Sequence, residues 1–155
     1  MKSDKKLILM LAFAFFVAGG MIFISLSNGN ANAEYEVPSP EEVVKQYFNA
    51  WSSKNYPDMY ATISDGFKKI ELTAADLRAF KSYAESQGVE NANIISIEEK
   101  SNDGHTSIVD YSLEFSLSNE KKSRLNGTFT LKYRKGDIIP GWKIIHPYGE
   151  KADAS

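Results

Sequence analysis

Cysteine is absent from all 155 residues. That excludes a disulfide framework, a thiolate metal site and a cysteine nucleophile. It also excludes the lipid-carrying cysteine of a bacterial lipoprotein. Only two histidines occur, His105 and His146, far apart in the chain. No cluster has metal-ligand spacing, so no metal and no other cofactor is expected. No glycine-rich phosphate loop follows a strand pattern. A strong positive charge is missing too. Residues 1–33 hold Lys2, Lys5, Lys6 and Asp4; the remainder carries 15 basic and 19 acidic residues. An acidic balance of that kind argues against a nucleic-acid partner. Basic groups such as Lys68-Lys69, Lys121-Lys122 and Arg134-Lys135 read as solvated surface. Low-complexity tracts and internal repeats are lacking.

One long apolar run is present. Leu7 to Leu26 is 20 residues without a charge. As a helix it would span roughly 30 Å, the thickness of a bilayer's hydrocarbon core. Three lysines precede it and Glu34, Glu36, Glu41 and Glu42 follow. The positive-inside bias then puts the N-terminus in the cytoplasm and the rest outside. Ala31-Asn32-Ala33 also has the small-x-small pattern of a signal peptidase site, with Ala31 and Ala33 as its small residues. Residues 1–26 are therefore an anchor or a signal peptide. Either the domain stays on a single-pass membrane segment, or it is secreted after cleavage at Ala33. Both readings export it.

Residues 27–38 read as a flexible linker. From Ser39 the pattern is helical. Ser39 is an N-cap, Pro40 suits the first turn and Glu42 completes a capping box. Val44, Tyr47, Phe48 and Trp51 form one face of a helix ending near Ser53. A second, short helix opens near Pro57 and ends at Asp65-Gly66. A third starts at Thr73 as N-cap, turns Leu77, Phe80, Tyr83 and Ala84 inward, and stops at Gly88.

Then the period becomes 2. Residues 92–101 form one strand, and Asn102-Asp103-Gly104 turns the chain. In the next strand Val109, Tyr111, Leu113, Phe115 and Leu117 share a face. In the third, Leu125, Phe129, Leu131 and Tyr133 do. The fourth, around "PGWKIIHPYG", puts Trp142, Ile144 and His146 together. Residues 150–155 read as a disordered tail. Consecutive hairpins imply an antiparallel sheet with one apolar face. The predicted fold is α+β: N-terminal helices packed on the concave face of a curved, four-stranded antiparallel sheet over 39–149, preceded by one hydrophobic helix.

This order of elements resembles the nuclear transport factor 2-like superfamily. More narrowly it resembles the non-catalytic N-terminal domain of methicillin-resistance-type penicillin-binding proteins. The pieces that carry it are "EEVVKQYFNAWSSKNYPDMYATIS", "YAESQGVENANI" with Gln87-Gly88-Val89, and "GWKIIHPY" with Trp142-Lys143-Ile144. The resemblance implies an extracytoplasmic spacer or interaction domain without activity. Ser118-Asn119-Glu120-Lys121 matches the S-x-x-K of transpeptidases by spacing, yet it sits in a hairpin loop. Neither S-x-N nor K-T-G follows.

Three functions remain in play. The first is a non-enzymatic interaction or scaffold module of the cell envelope, with a cell-wall or envelope protein as partner. The second is a binder of a small apolar ligand in the cone, lined by Tyr47, Trp51, Tyr111, Phe115, Phe129, Tyr133, Trp142 and His146. The third is a lyase- or isomerase-type enzyme drawing on Tyr47, Asp58, Tyr60, Tyr111, Tyr133 or, best placed of these, His146. No residue is assigned a catalytic role. The aromatic residues are most simply core. An enzyme needs a buried ionisable pair, and a scaffold needs an exposed apolar patch or an open sheet edge.

Overall fold

The computed structural model describes residues 36–148. The apolar segment 7–26, the Ala31–Ala33 site and the tail lie outside them.

Helix α1 (Pro40–Ser52) starts as its sequence dictates. The Ser39 hydroxyl accepts from the Glu42 amide at 3.3 Å, and the Glu42 carboxylate accepts from the Ser39 amide at 2.7 Å. These bonds satisfy two donors at the helix start that have no partner within the helix. Its apolar stripe, Val44, Tyr47, Phe48 and Trp51, is buried. A short helix α2 (Tyr56–Tyr60) follows, capped by Asn55.

The next two helices differ from the sequence expectation. Asp65-Gly66 does not end a helix; it begins α3 (Asp65–Ile70). Ser64 supplies the cap, accepting the Phe67 amide at 2.9 Å, and Asp65 sits where the helix dipole favours an acid. Thr73 is not an N-cap. It lies in a 3₁₀ turn, Leu72–Ala74, where the Glu71 carboxylate takes both its amide and its hydroxyl. Asp76 caps α4 (Leu77–Ser86), accepting the Ala79 amide at 2.8 Å. Gly88 then leaves the helix with φ +64°, as its place after the C-cap requires.

Four strands, β1 (Val89–Asn102), β2 (Thr106–Leu117), β3 (Lys122–Arg134) and β4 (Gly141–Ile144), pair in sequence order, all antiparallel. Asp103 accepts the amides of His105 and Thr106 and so closes the first hairpin. The alternation read from the sequence holds in β2, where Val109, Tyr111, Leu113 and Phe115 are buried against α1. It breaks in β4. Lys143 and Ile145 are buried as well as Ile144. The cause is the chain between α2 and α3, which runs beside β4 as a parallel neighbour. The Ile144 amide donates to the Thr62 carbonyl at 2.9 Å, and the Ser64 amide donates to the Ile144 carbonyl at 3.1 Å.

The other edge of the sheet is held by α1 and by Lys54 just after it. The Ser52 hydroxyl accepts the Ala92 amide at 2.8 Å, Glu41 accepts the Glu99 amide at 2.8 Å, and the Lys54 ammonium donates to the Val89 carbonyl. The register of β1 also shifts at three places along β2. Both devices blunt an edge that would otherwise invite another strand.

Candidate functional site

The eight cone residues named from the sequence separate into three places. Tyr47 and Trp51 from α1 meet Tyr111 and Phe115 from β2 and Phe129 from β3, with Phe48 completing the group. Ring centroids lie 4.3 Å apart for Tyr111 and Phe129, 5.3 Å for Trp51 and Phe115, and 6.0 Å for Tyr47 and Phe129. All six rings are buried. They occupy the space between helix and sheet as interlocked edges and faces. Burial pushes the Tyr47 and Tyr111 hydroxyls well above their ordinary range, so both stay protonated.

Tyr133 and Trp142 lie apart from that group. They pack edge to face at 5.6 Å, across from each other on β3 and β4, and both are half-buried. His146 stands in a third place. Its Nδ1 accepts the Tyr148 amide at 3.1 Å, its Nε2 lies 3.6 Å from Glu71, and its ring meets Phe67 edge-on. It therefore faces α3 and Glu71 rather than the six rings.

The earlier acid–base candidates are likewise engaged. Tyr60 donates to the Ala74 carbonyl at 2.9 Å, and Asp58 accepts from the Asn55 side chain. Among the described residues no group of three or more His, Asp or Glu could hold a metal ion.

A charged cluster escaped the sequence reading. Lys143, only 5% exposed, donates to the Ala61 carbonyl at 2.6 Å. Around it stand Asp65, Asp137 and Lys68. Asp65 accepts from Lys68 at 3.1 Å and from the Ile138 amide at 3.0 Å. Asp137 accepts from the Asp65 amide at 3.0 Å and from Arg134 at 3.4 Å. Burial alone would raise the Asp65 carboxyl; the Ile138 amide and Lys68 outweigh it and hold the group low. Burial, helped by Lys68, pushes the Lys143 ammonium down to about 8 against the pull of Asp137 and Asp65. These residues line a pocket of about 200 Å³ together with Tyr60, Ile63, Ile138 and Ile139. One signal in the sequence could have found it: a single lysine inside the apolar run Trp142–Ile145.

Two surfaces complete the inventory. On the sheet, Ser96, Glu98, Asp110, Ser112, Asn126 and Thr128 line an open groove of about 450 Å³. Within it Thr128 donates to Asp110 at 2.6 Å, and Glu98 pairs with Lys100. In the β3–β4 loop Ile138 is 89% exposed and Ile139 46%. That loop ends at Gly141, where Val37 packs within 3.5 Å of the position a side chain would take. No helix among the described residues is long and apolar enough to cross a membrane.

A family model described as "Domain of unknown function (DUF4829)" matches residues 41–144. No curated protein matches the chain. Two solved structures share the fold at low identity. A SEC-C motif containing protein from Rhodopseudomonas palustris superposes with a TM-score of 0.51 at 13% identity, covering 69% of this chain and 75% of that one. Another SEC-C motif containing protein, from Psychrobacter arcticus, gives 0.51 at 11% identity, over 88% and 84%. The helices packed on a curved, four-stranded antiparallel sheet make the architecture α+β, as the sequence predicts.

Proposed function

This chain belongs to the DUF4829 family, and we propose that it is a non-enzymatic interaction module working on the outer side of the cytoplasmic membrane. The observation that carries the reading is the filled cone. Six buried rings stand where a substrate or apolar ligand would have to sit. Opening that space would mean parting close-packed aromatic groups, at a cost of several kcal/mol on the scale of about 2–5 for emptying one large core position. The sheet edges are also engaged, which leaves the exposed side chains as the contact surface.

The apolar segment ahead of the domain supports that location. The apolar residues 7–26 act as the anchor in this reading, and the linker joins the domain at Val37, beside Gly141. The exposed Ile138 and Ile139 precede Gly141 by two or three residues and so lie on the tether side of the domain in this reading. The narrower kinship with penicillin-binding protein spacer domains belongs to the same proposal, and it makes an envelope protein the expected partner.

Intact mass measured separately on membrane and soluble fractions tests the tether. A full-length chain in the membrane fraction is the expected result. A chain beginning at Glu34 in the soluble fraction would overturn it and turn the domain into a secreted one.

A further inference from the structure

We propose that Lys143 is a reactive amine whose pocket accepts a small aliphatic aldehyde or ketone as an imine. The reading does not depend on where the domain is located.

Three features place the chemistry there. The amine is buried, yet the hydrogen bond it donates goes to a neutral carbonyl, that of Ala61, rather than to a carboxylate. The two nearby carboxylates are engaged elsewhere. Asp65 holds Lys68 and the Ile138 amide, and Asp137 holds the Asp65 amide and Arg134. A second ammonium, Lys68, lies close enough to disfavour charge on Lys143, and it is itself held over the Tyr60 ring at 4.7 Å. Burial beside another cation is the arrangement that keeps a lysine amine neutral and nucleophilic near neutral pH. The pocket walls, Ile63, Ile138, Ile139 and the Tyr60 ring, are apolar. About 200 Å³ is the space of roughly six or seven waters at about 30 Å³ each, enough for a short aliphatic chain.

The step balances without a co-reactant. The neutral nitrogen attacks the carbonyl carbon, a C–N bond forms, and one amine proton passes to the oxygen. The second amine proton and that oxygen then leave as water when the C–O bond breaks. An imine remains, and it is reversible by the same water. The charged groups around it are Lys68, Asp65, Asp137 and Arg134, so the proton balance of the step depends on all four.

Butanal with cyanoborohydride, applied to the full chain at about pH 8, reduces any imine to a stable secondary amine. Peptide mass spectrometry then gives the rate at each lysine. An amine titrating near 8 has roughly a hundredfold more neutral form than an ordinary lysine at that pH, partly offset by its lower basicity. Lys143 is expected to label about tenfold faster than the exposed Lys81 and Lys135. A bulky aldehyde such as naphthaldehyde should lose that preference, and Lys68→Met should shift the pH midpoint of labelling upward. Labelling of Lys143 no faster than that of Lys81 and Lys135 would overturn the proposal. So would an equal preference for the bulky aldehyde, because the pocket would then play no part. Circular dichroism of the Lys68→Met chain checks that it folds. If it does not, the rate ratio and the size preference in the unaltered chain decide the matter alone.

Discussion

Gly127 shows how single residues set this core. It pairs with Tyr111 across β2 and β3, and a Cβ at Gly127 would fall 2.3 Å from the Tyr111 hydroxyl oxygen. The ring cannot swing away, since Phe129 and Phe48 hold it at 4.3 and 5.1 Å. Gly127→Ala should therefore cost about 1–3 kcal/mol in denaturant unfolding. In a Tyr111→Leu background the same change should cost clearly less, and equal costs in the two backgrounds would refute the contact. Lys143 is the second case. Its amine titrates at about 8 in the folded chain against an ordinary 10.5. Between those values the unfolded chain holds more protons, so stability rises with pH through that window. The melting temperature of the unaltered protein should rise relative to Lys143→Met from about pH 7.5 to about pH 9.5, before the tyrosines begin to ionise. A flat difference would mean that the lysine is not perturbed. The sequence marked Tyr111, Phe115 and Phe129 as inward because alternation is a local property. For Lys143 it offered only a lysine inside an apolar run, because the burial of that residue depends on a chain segment some 80 positions away.

At the scale of elements, α1 both covers the sheet and closes its edge. Ser52 accepts the Ala92 amide and donates back to the Ala92 carbonyl at 3.2 Å. Ser52→Ala leaves that partly buried amide without its acceptor, which should cost about 1–3 kcal/mol. Hydrogen exchange at Ala92 should speed up while that of Val109 in β2 stays slow; unchanged exchange at Ala92 would show that the edge is guarded by something else. This element was legible in advance, since its cap, stripe and length are all written within 14 residues, Ser39 to Ser52. The region from 61 to 76 was not. Asp65 and Thr73 carry the right chemistry for a stop and a start, but Ser64, tied to Ile144 beside β4, caps a new helix at Asp65, and Asp76 takes the later start from Thr73. In β4 the one-sided pattern failed for the same reason: residues 62–64 lie along its edge and bury Lys143 and Ile145.

At the scale of the whole molecule, a tethered domain would have one end turned toward the bilayer. Val37, which precedes α1, packs beside Gly141, and the neighbouring loop presents Ile138 and Ile139 to the outside. The β2–β3 turn, with Asn119, lies at the other end of strands roughly 40 Å long at about 3.3 Å per residue. The absence of cysteine makes a single labelled position unambiguous. The decisive measurement is fluorescence of a probe on Ile138→Cys, and separately on Asn119→Cys, in the full chain reconstituted into phosphatidylethanolamine–phosphatidylglycerol vesicles that contain a quencher-bearing lipid. The account predicts strong quenching at position 138 and little at 119. Equal quenching at the two positions would contradict it, because the domain would then hang from its linker with no fixed face toward the bilayer.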